Sequence, residues 1–433
     1  MICLQRIIYT MKKLNLKSDI FKEATINLAY LGLTQTINYI IPILLIPHLT
    51  NTVGIENFGR ISIIQAILFY GIFIVNYGFN YSGTIEVSVE KTKDHSALFS
   101  SITYTKICLA LLSSLLAFSL VLFFKLSYTE ISIVYLSFFF HLMGQSLYPE
   151  WFFHGIQKLK YSFYVILSWK IVYVVSVLFF VKRQDDYLFV VFADGVLCVF
   201  TGIVSLVFVR EKYGIKFKVI SLSIVKNQLI KNWHLFSSMV FTTFYTKGNF
   251  LFLGLCSNQI EVAIYAIAER YVFMINGLLS LLNRIVLPYL SLYKQKSTVH
   301  YIRLVKASLY VTVAIGVILC VSNLLLSNYI ARLLNISFQK ELSHLLSLLA
   351  FSFISSSFCT FATTVLITEN ESKLINRFNI IGLLIGLFFV TPLTFFYKGI
   401  GLSIGFICNS YILVILNTWA LFKLKNTLST TIA

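Results

Sequence analysis

Seven charged residues stand inside long apolar stretches of the sequence, where a charge is expensive and therefore informative. The basic ones are Lys106, Lys170, Lys247, Arg270 and Arg284, and the acidic ones are Asp194 and Glu269. On insertion scales, a charge at the centre of a bilayer costs about 2.5–3.5 kcal/mol. Because cations are in excess, the set would suit an anion such as a phosphate or pyrophosphate, held by charge-assisted hydrogen bonds.

The spacing of three of these charges predicts a common cavity. Lys247 precedes a short polar connection near residues 256–260, and Glu269 and Arg270 follow it at about the same distance. Two antiparallel helices that rise about 1.5 Å per residue would place these residues at one depth, near the middle of the membrane. Arg284 lies fourteen residues beyond Arg270, about four turns, and therefore on nearly the same face.

Ion pairing inside the protein is the structural alternative for these charges. Glu269 would then neutralise Lys247, and Asp194 would neutralise Lys170. Such pairs would stabilise the fold without binding any substrate. The two carboxylates are also the candidates for a coupling ion, a proton or sodium.

Pairing does not account for all the buried cations, since three would remain in excess. Lys106 and Arg284 would either attract an anion or extend along the apolar surface to the cytoplasmic interface. Arg270 is the hardest of these cations to explain as a structural residue. Lys170 and Lys106 would add positive charge from the first half of the chain.

The elements that position these residues are predicted to be membrane-spanning helices. Hydrophobic residues make up 58% of the chain and charged residues only 12%, and the mean hydropathy is +0.83. A soluble domain carries about 25% charged residues. The apolar runs are continuous, without the alternation of a membrane β-barrel. The composition therefore predicts an all-α integral membrane protein.

Twelve spans are predicted, each long enough to cross about 30 Å of hydrocarbon. The longest connector, residues 210–232, divides them into an N-terminal half, residues 1–209, and a C-terminal half, residues 233–433, of six helices each. The spans lie near 25–47, 61–80, 98–124, 131–149, 161–181, 187–209, 233–255, 261–288, 304–327, 343–367, 376–396 and 399–422.

The distribution of basic residues predicts that both termini are cytoplasmic. With that orientation, 23 Lys and Arg residues fall on the cytoplasmic side and seven on the other. Basic inner loops beside anionic headgroups account for most of the net charge of +18, without a nucleic-acid partner. The basic segment that begins at Met11 is typical of a cytoplasmic leader, and we expect Met11 to be the start.

The sequence lacks the motifs of the common hydrolytic and metal sites. The seven cysteines are scattered without a CxxC pair, so they indicate neither a metal site nor a disulfide framework. There is no HExxH or P-loop motif. We therefore expect neither an enzyme nor a bound cofactor or metal.

Four stretches carry a resemblance to a known family. They are PILLIPHLTNTVGIENFG (42–59), NYGFNYSGTIEVS (76–88), LYPEWFFHGIQKLKY (147–161), and YAIAERY followed by LPYLS within 265–291. Together they resemble the polysaccharide flippases of bacterial O-antigen and capsule pathways, the Wzx-type branch of the multidrug/oligosaccharidyl-lipid/polysaccharide exporter superfamily. The chain departs from the family at His48, Asn51 and His154, where many members have Tyr, Arg and Gln.

The resemblance implies two lobes around a central cavity and a function by alternating access. The implied substrate is an undecaprenyl-pyrophosphate-linked oligosaccharide, moved from the cytoplasmic to the periplasmic leaflet of the bacterial inner membrane. The implied partners are this lipid, the bilayer, a polysaccharide polymerase and a chain-length regulator. Lys247, Arg270 and Lys170 would hold the pyrophosphate, and Arg284 and Lys106 would attract it from the cytoplasmic side.

Three other functions are compatible with the hydropathy alone. A drug antiporter of the same superfamily would present carboxylates in its cavity, whereas the predicted cavity is cationic. A polysaccharide polymerase would carry a large outer loop, whereas the outer loops here are short. A membrane scaffold would not need costly buried cations.

The aromatic run Trp151–Phe153 is interpreted as part of an interfacial belt.

Overall fold

The computed structural model describes residues 18–89, 95–122, 127–218, 220–334, 338–369 and 371–430, and within these ranges it contains helices and no strand. A 3₁₀ turn (Gln184–Asp186) and a π-helical segment (Gly386–Val390) interrupt the α-helices. The α-helices are α1 (Ser18–Thr52), α2 (Ile55–Asn76), α3 (Phe79–Val89), α4 (Ser96–Val121), α5 (Tyr128–Leu147), α6 (Glu150–Gly155), α7 (Leu159–Phe180), α8 (Tyr187–Tyr213), α9 (Leu222–Cys256), α10 (Gln259–Lys296), α11 (Thr298–Leu333), α12 (Gln339–Thr368), α13 (Ser372–Ile385) and α14 (Thr391–Thr430).

The helices confirm the predicted fold class. By length and composition, ten segments of the described chain could cross a membrane. Nine of them each overlap one predicted span, and the tenth, Lys373–Lys423, contains the last two. That segment bends at Lys398, whose backbone is non-helical with φ 50° and ψ −127°. The predicted seventh span, 233–255, lies within α9.

Helix ends near the candidate charges follow ordinary capping chemistry. The side chain of Asn258 accepts a hydrogen bond of 2.9 Å from the backbone N–H of Glu261 and starts α10. Ser297 caps α11 in the same way. Gly214 ends α8 in the left-handed conformation, with φ 65°, that glycine adopts without strain. The Asn258 cap sets where α10 begins, and α10 is the helix that carries Glu269 and Arg270.

Small residues allow α5 and α8 to pack with their backbones in close contact. A Cβ atom on Gly144 would lie 2.3 Å from the carbonyl carbon of Cys198, and one on Gly195 would lie 2.7 Å from the carbonyl oxygen of Ser137. Neither space admits a larger residue. This close approach is the usual basis of helix association in lipid, and it brings the polar side chains of both helices together.

The two predicted halves meet where α2 runs beside α10. A Cβ atom on Gly59 would lie 2.1 Å from the carbonyl oxygen of Gln259, so the start of α10 rests directly on α2. The predicted linker also contacts the N-terminal half, since Lys231 on α9 pairs with Glu86 at 2.8 Å. Residues 214–221 connect α8 to α9, so the predicted linker, 210–232, includes the end of one helix and the start of the next.

Candidate functional site

Arg270 reaches across the boundary between the predicted halves. From α10 its Nη2 donates to Gln65 Oε1 at 2.7 Å and to Ser62 Oγ at 3.2 Å. Its guanidinium carbon lies 4.8 Å from the centre of the Phe58 ring, a cation–π distance. Phe58, Ser62 and Gln65 occupy one face of α2, since they follow one another at helical spacing. Arg270 therefore holds α10 to α2 through neutral partners.

The charge of Arg270 is not cancelled by a direct ion pair among the described residues. Glu269 precedes it on α10 and interacts with it electrostatically. Arg270 as a whole residue is partly exposed, and its guanidinium has more N–H donors than Gln65 and Ser62 use. It can therefore accept an anion, whose oxygens would offer stronger, charge-assisted bonds than an amide or a hydroxyl does.

A second charged cluster lies inside the predicted N-terminal half, and its charges pair with one another. Asp194 on α8 lies 3.7 Å from Lys170 Nζ on α7 and 3.3 Å from His141 Nδ1 on α5. The Lys170 ammonium also lies 4.2 Å from the centre of the Trp169 ring. The predicted pairing of Asp194 with Lys170 is confirmed. His141 was missed, although a histidine inside a predicted span is a signal that could have found it.

Lys106 is enclosed by protein and does not extend to the interface. It is 1% exposed, and its ammonium donates to the carbonyl oxygen of Tyr148 at 3.4 Å. The interpretation that Lys106 extends to the cytoplasmic interface is wrong, because helix α4 turns its side chain towards α5 and α6. Its predicted role in attracting substrate stays a prediction.

The side chains of Lys247 and Arg284 lie outside the described residues. Their backbones belong to α9 and α10, as predicted. Glu269 lies close enough to Tyr70 and Tyr265 to interact electrostatically with both. The pairing of Glu269 with Lys247 and the substrate-binding roles of Lys247 and Arg284 stay predictions.

The aromatic run of α6 is part of the protein core. Trp151 and Phe152 are each 1% exposed and Phe153 is fully buried. Glu150 accepts a hydrogen bond of 2.9 Å from Asn80, and Thr84 donates to the carbonyl oxygen of Trp151 at 3.0 Å. The interpretation as an interfacial belt is therefore wrong, because α3 and its neighbours cover these rings.

The sequence analysis did not anticipate an uncharged cavity in the C-terminal half. It has a volume of about 500 Å³ and lies between α10, α12, α13 and α14. Amides and hydroxyls carry no formal charge, so a search for buried charge passes over them. The polar residues that line it are Asn276, Ser280, Asn283, Ser355, Ser356, Thr360, Thr363, Thr364, Asn379, Ser410 and Asn417.

The sequence matches known proteins over most of its length. Residues 24–294 match the family model described as "Polysaccharide biosynthesis protein". A "Putative O-antigen transporter" of Escherichia coli (strain K12) is 26% identical over 381 residues, which are 87% of this chain and 92% of the relative. A protein of the same name from Shigella dysenteriae is 24% identical over 402 residues, which are 90% of this chain and 98% of the relative.

Solved transporter structures share the fold. The inward-facing conformation of a multidrug resistance MATE family transporter of the MOP superfamily gives a TM-score of 0.65 at 12% identity, covering 91% of this chain and 96% of that one. The lipid II flippase MurJ in an inward closed conformation gives a TM-score of 0.66 at 14% identity, covering 92% and 86%. At these identities the likeness concerns the fold alone.

Proposed function

The chain belongs to the polysaccharide biosynthesis protein family, and from that premise we propose that it is a flippase for undecaprenyl-pyrophosphate-linked oligosaccharide. The motif resemblance to the polysaccharide flippases is confirmed at the level of the family. The curated relatives are named as transporters, and the chain is accordingly a multi-pass membrane transporter and not an enzyme. The movement proposed is from the cytoplasmic to the periplasmic leaflet of the bacterial inner membrane, with both termini cytoplasmic.

The observation that carries this proposal is the contact of Arg270 with α2. Its present partners, Ser62 and Gln65, are neutral and belong to the other half of the protein. A pyrophosphate would offer charged oxygens to the same guanidinium and would compete with both partners. Binding of the lipid headgroup would therefore weaken the link between α2 and α10.

This competition supplies a reason for alternating access. A ligand shifts a conformational equilibrium only by its difference in affinity for the two states. A headgroup that replaces the contacts of Arg270 binds the state in which α2 and α10 have separated more tightly than the state in which they touch. Release of the headgroup would allow Ser62 and Gln65 to recover the guanidinium and the halves to close again.

The remaining candidate charges have subordinate roles in this proposal. Lys247 and Arg284 would extend the path of the pyrophosphate along α9 and α10. Lys170 would contribute only after a rearrangement, because Asp194 neutralises it here. Asp194 and Glu269 remain the candidates for a coupling proton or sodium ion. A polymerase and a chain-length regulator would receive the product on the periplasmic side.

A drug antiporter is less well supported than a flippase. Export of an organic cation would need a carboxylate that faces the substrate. Asp194, the buried carboxylate of the N-terminal half, lies between Lys170 and His141. The cation at the boundary of the halves, Arg270, would repel such a substrate.

A complementation experiment tests the proposed function. Cells that lack the gene would receive the wild-type protein, Arg270→Ala, Arg270→Lys, or the control Arg332→Ala, which removes an exposed cation in the last turn of α11. Surface polysaccharide and lipid-linked repeat units in each leaflet would be measured. We expect Arg270→Ala to lower export about tenfold or more at normal protein level, because charge-assisted bonds contribute roughly 1.5–3 kcal/mol.

The outcomes of this experiment separate the candidate functions. Accumulation of complete repeat units in the cytoplasmic leaflet of the deletion strain supports the flippase. Arrival of unpolymerised units in the periplasm would replace it with a polymerase. Full export by Arg270→Ala, at the level of Arg332→Ala, would remove Arg270 from the transport path.

A further inference from the structure

The uncharged cavity of the C-terminal half has the chemistry of a sugar site. Among the described residues that line its volume of about 500 Å³ there is no Asp, Glu, Lys, Arg or His. Asn276, Ser280 and Asn283 present one polar face of α10 to it, since they are spaced by four and three residues. A cavity lined by neutral amides and hydroxyls selects for a neutral polar ligand.

Asn283 is a buried amide whose bonding is incomplete among the described residues. It is 5% exposed, and its Nδ2 donates to Thr360 Oγ1 at 3.0 Å. Its Oδ1 accepts no hydrogen bond, and neither does the buried Oδ1 of Asn276. Leaving a buried acceptor unsatisfied costs about 1–3 kcal/mol. Two such acceptors in one cavity indicate a site that a donor group completes.

The hydroxyls of the cavity add further acceptors. Thr360 donates to the carbonyl oxygen of Ser356 at 2.9 Å, Thr364 to that of Thr360 at 2.8 Å, and Ser410 to that of Phe406 at 2.8 Å. Each hydroxyl proton is therefore committed to its own helix, and the oxygen keeps lone pairs for another donor. These hydroxyl oxygens add to the unsatisfied acceptors Asn276 Oδ1 and Asn283 Oδ1.

The hydrogen-bond acceptors that the cavity offers identify the class of ligand that it would bind. Sugar hydroxyls and acetamido N–H groups donate hydrogen bonds, whereas a phosphate only accepts them. A divalent cation would require carboxylate ligands, and no lining residue that the structure describes supplies one. An anionic headgroup therefore suits Arg270, and an uncharged glycan suits the cavity.

We propose that this cavity, formed by α10, α12, α13 and α14, binds the uncharged sugars of the transported lipid and sets which repeat unit is accepted. The inference rests on the proposed function and adds a second subsite to it. Asn276 follows Arg270 by six residues, about 9 Å along the axis of α10. Adjoining parts of one ligand, a pyrophosphate and its first sugars, would thus reach both subsites.

The test compares two probes on protein in lipid nanodiscs. The first probe is the oligosaccharide-bearing lipid extracted from cells that lack the gene, and the second is undecaprenyl pyrophosphate without sugar. Binding would be measured by native mass spectrometry for wild type, Asn276→Leu, Asn283→Leu and Arg270→Gln. The control is Asn323→Leu, a buried amide on α11 that is not among the described residues lining the cavity.

The expected result is a separation of the two probes. Asn276→Leu and Asn283→Leu should bind the sugar-bearing lipid about tenfold more weakly, the effect of losing one or two hydrogen bonds. They should bind undecaprenyl pyrophosphate within about twofold of wild type, and Arg270→Gln should weaken both probes. If the leucine variants do not fold, the isosteric Thr363→Val, which removes one lining hydroxyl, replaces them.

Three outcomes would overturn the inference or its premise. Equal binding of both probes by all cavity variants would exclude the cavity from sugar recognition. Stabilisation of the wild type by sodium chloride over choline chloride, lost in Asn276→Leu, would make the cavity a cation site. Failure of the wild type to bind either probe would instead refute the proposed function itself.

Discussion

The two predicted halves of the protein use corresponding spans in different ways. Counted along the predicted spans, α5, α7 and α8 are the fourth, fifth and sixth, and they enclose Asp194 with Lys170 and His141. The tenth, eleventh and twelfth, formed by α12, α13 and α14, border the uncharged cavity instead. Charges that neutralise one another allow close packing, whereas neutral groups with spare acceptors leave room for a ligand.

The difference teaches that buried charge is an ambiguous sign of a binding site. An isolated charge inside a protein is so costly that it is usually paired or hydrogen-bonded. The charged cluster of the N-terminal half meets that requirement internally, and its helices close over it. An amide costs less to bury, so the C-terminal half can keep Asn276 and Asn283 available to a ligand.

The largest effect is expected where one member of the charged cluster is removed. Asp194→Ala should destabilise the protein by about 3–5 kcal/mol, because Lys170 would remain buried without its carboxylate. The measurement is the folded fraction in membranes and the melting temperature in detergent. The double variant Asp194→Leu/Lys170→Met, which removes both charges, should recover a large part of the loss.

A contrary result would reassign the cluster. Normal stability of Asp194→Ala together with lost transport would mean that Asp194 binds a coupling ion. The N-terminal cluster would then be an ion site, and its counterpart in the C-terminal half would be the proposed sugar site.

A smaller effect is expected from adding a methyl group to the packing of α5 against α8. Gly144→Ala should cost about 1–3 kcal/mol, because its Cβ would lie 2.3 Å from the backbone of Cys198. Gly399→Ala in the C-terminal half is the control, since its nearest neighbours would lie at 3.9 Å. Melting temperatures of the two variants check this, and equal values would contradict the difference in packing.

The smallest effect on stability is expected in the cavity. Asn276→Ala should lower stability by less than about 1 kcal/mol, because the side chain leaves a buried acceptor unsatisfied and sits beside open volume. The same melting experiment measures it. A loss of stability as large as that of Asp194→Ala would mean that the Asn276 amide stabilises the fold. The two halves would then not differ in how their buried polar groups are used.

Much of the architecture was predictable because hydropathy acts locally along the chain. The continuous apolar runs predicted the helices and the membrane, and nine of the ten candidate spans in the described chain each overlap one predicted span. The pairing of Lys170 with Asp194 was also predictable, since a buried cation and a buried carboxylate on adjacent helices stabilise each other. The motifs from Pro42 to Ser291 led to the right family.

The sequence by itself determined the fold class, the set of buried charges and the family, because each depends on composition, local spacing or short motifs. Only the tertiary structure decided which charges are neutralised, that Trp151 packs in the core, and that Arg270 meets Ser62 and Gln65. It alone revealed the uncharged cavity. These features depend on which helix faces pack together. The sequence does not show that residues far apart in the chain line the same cavity.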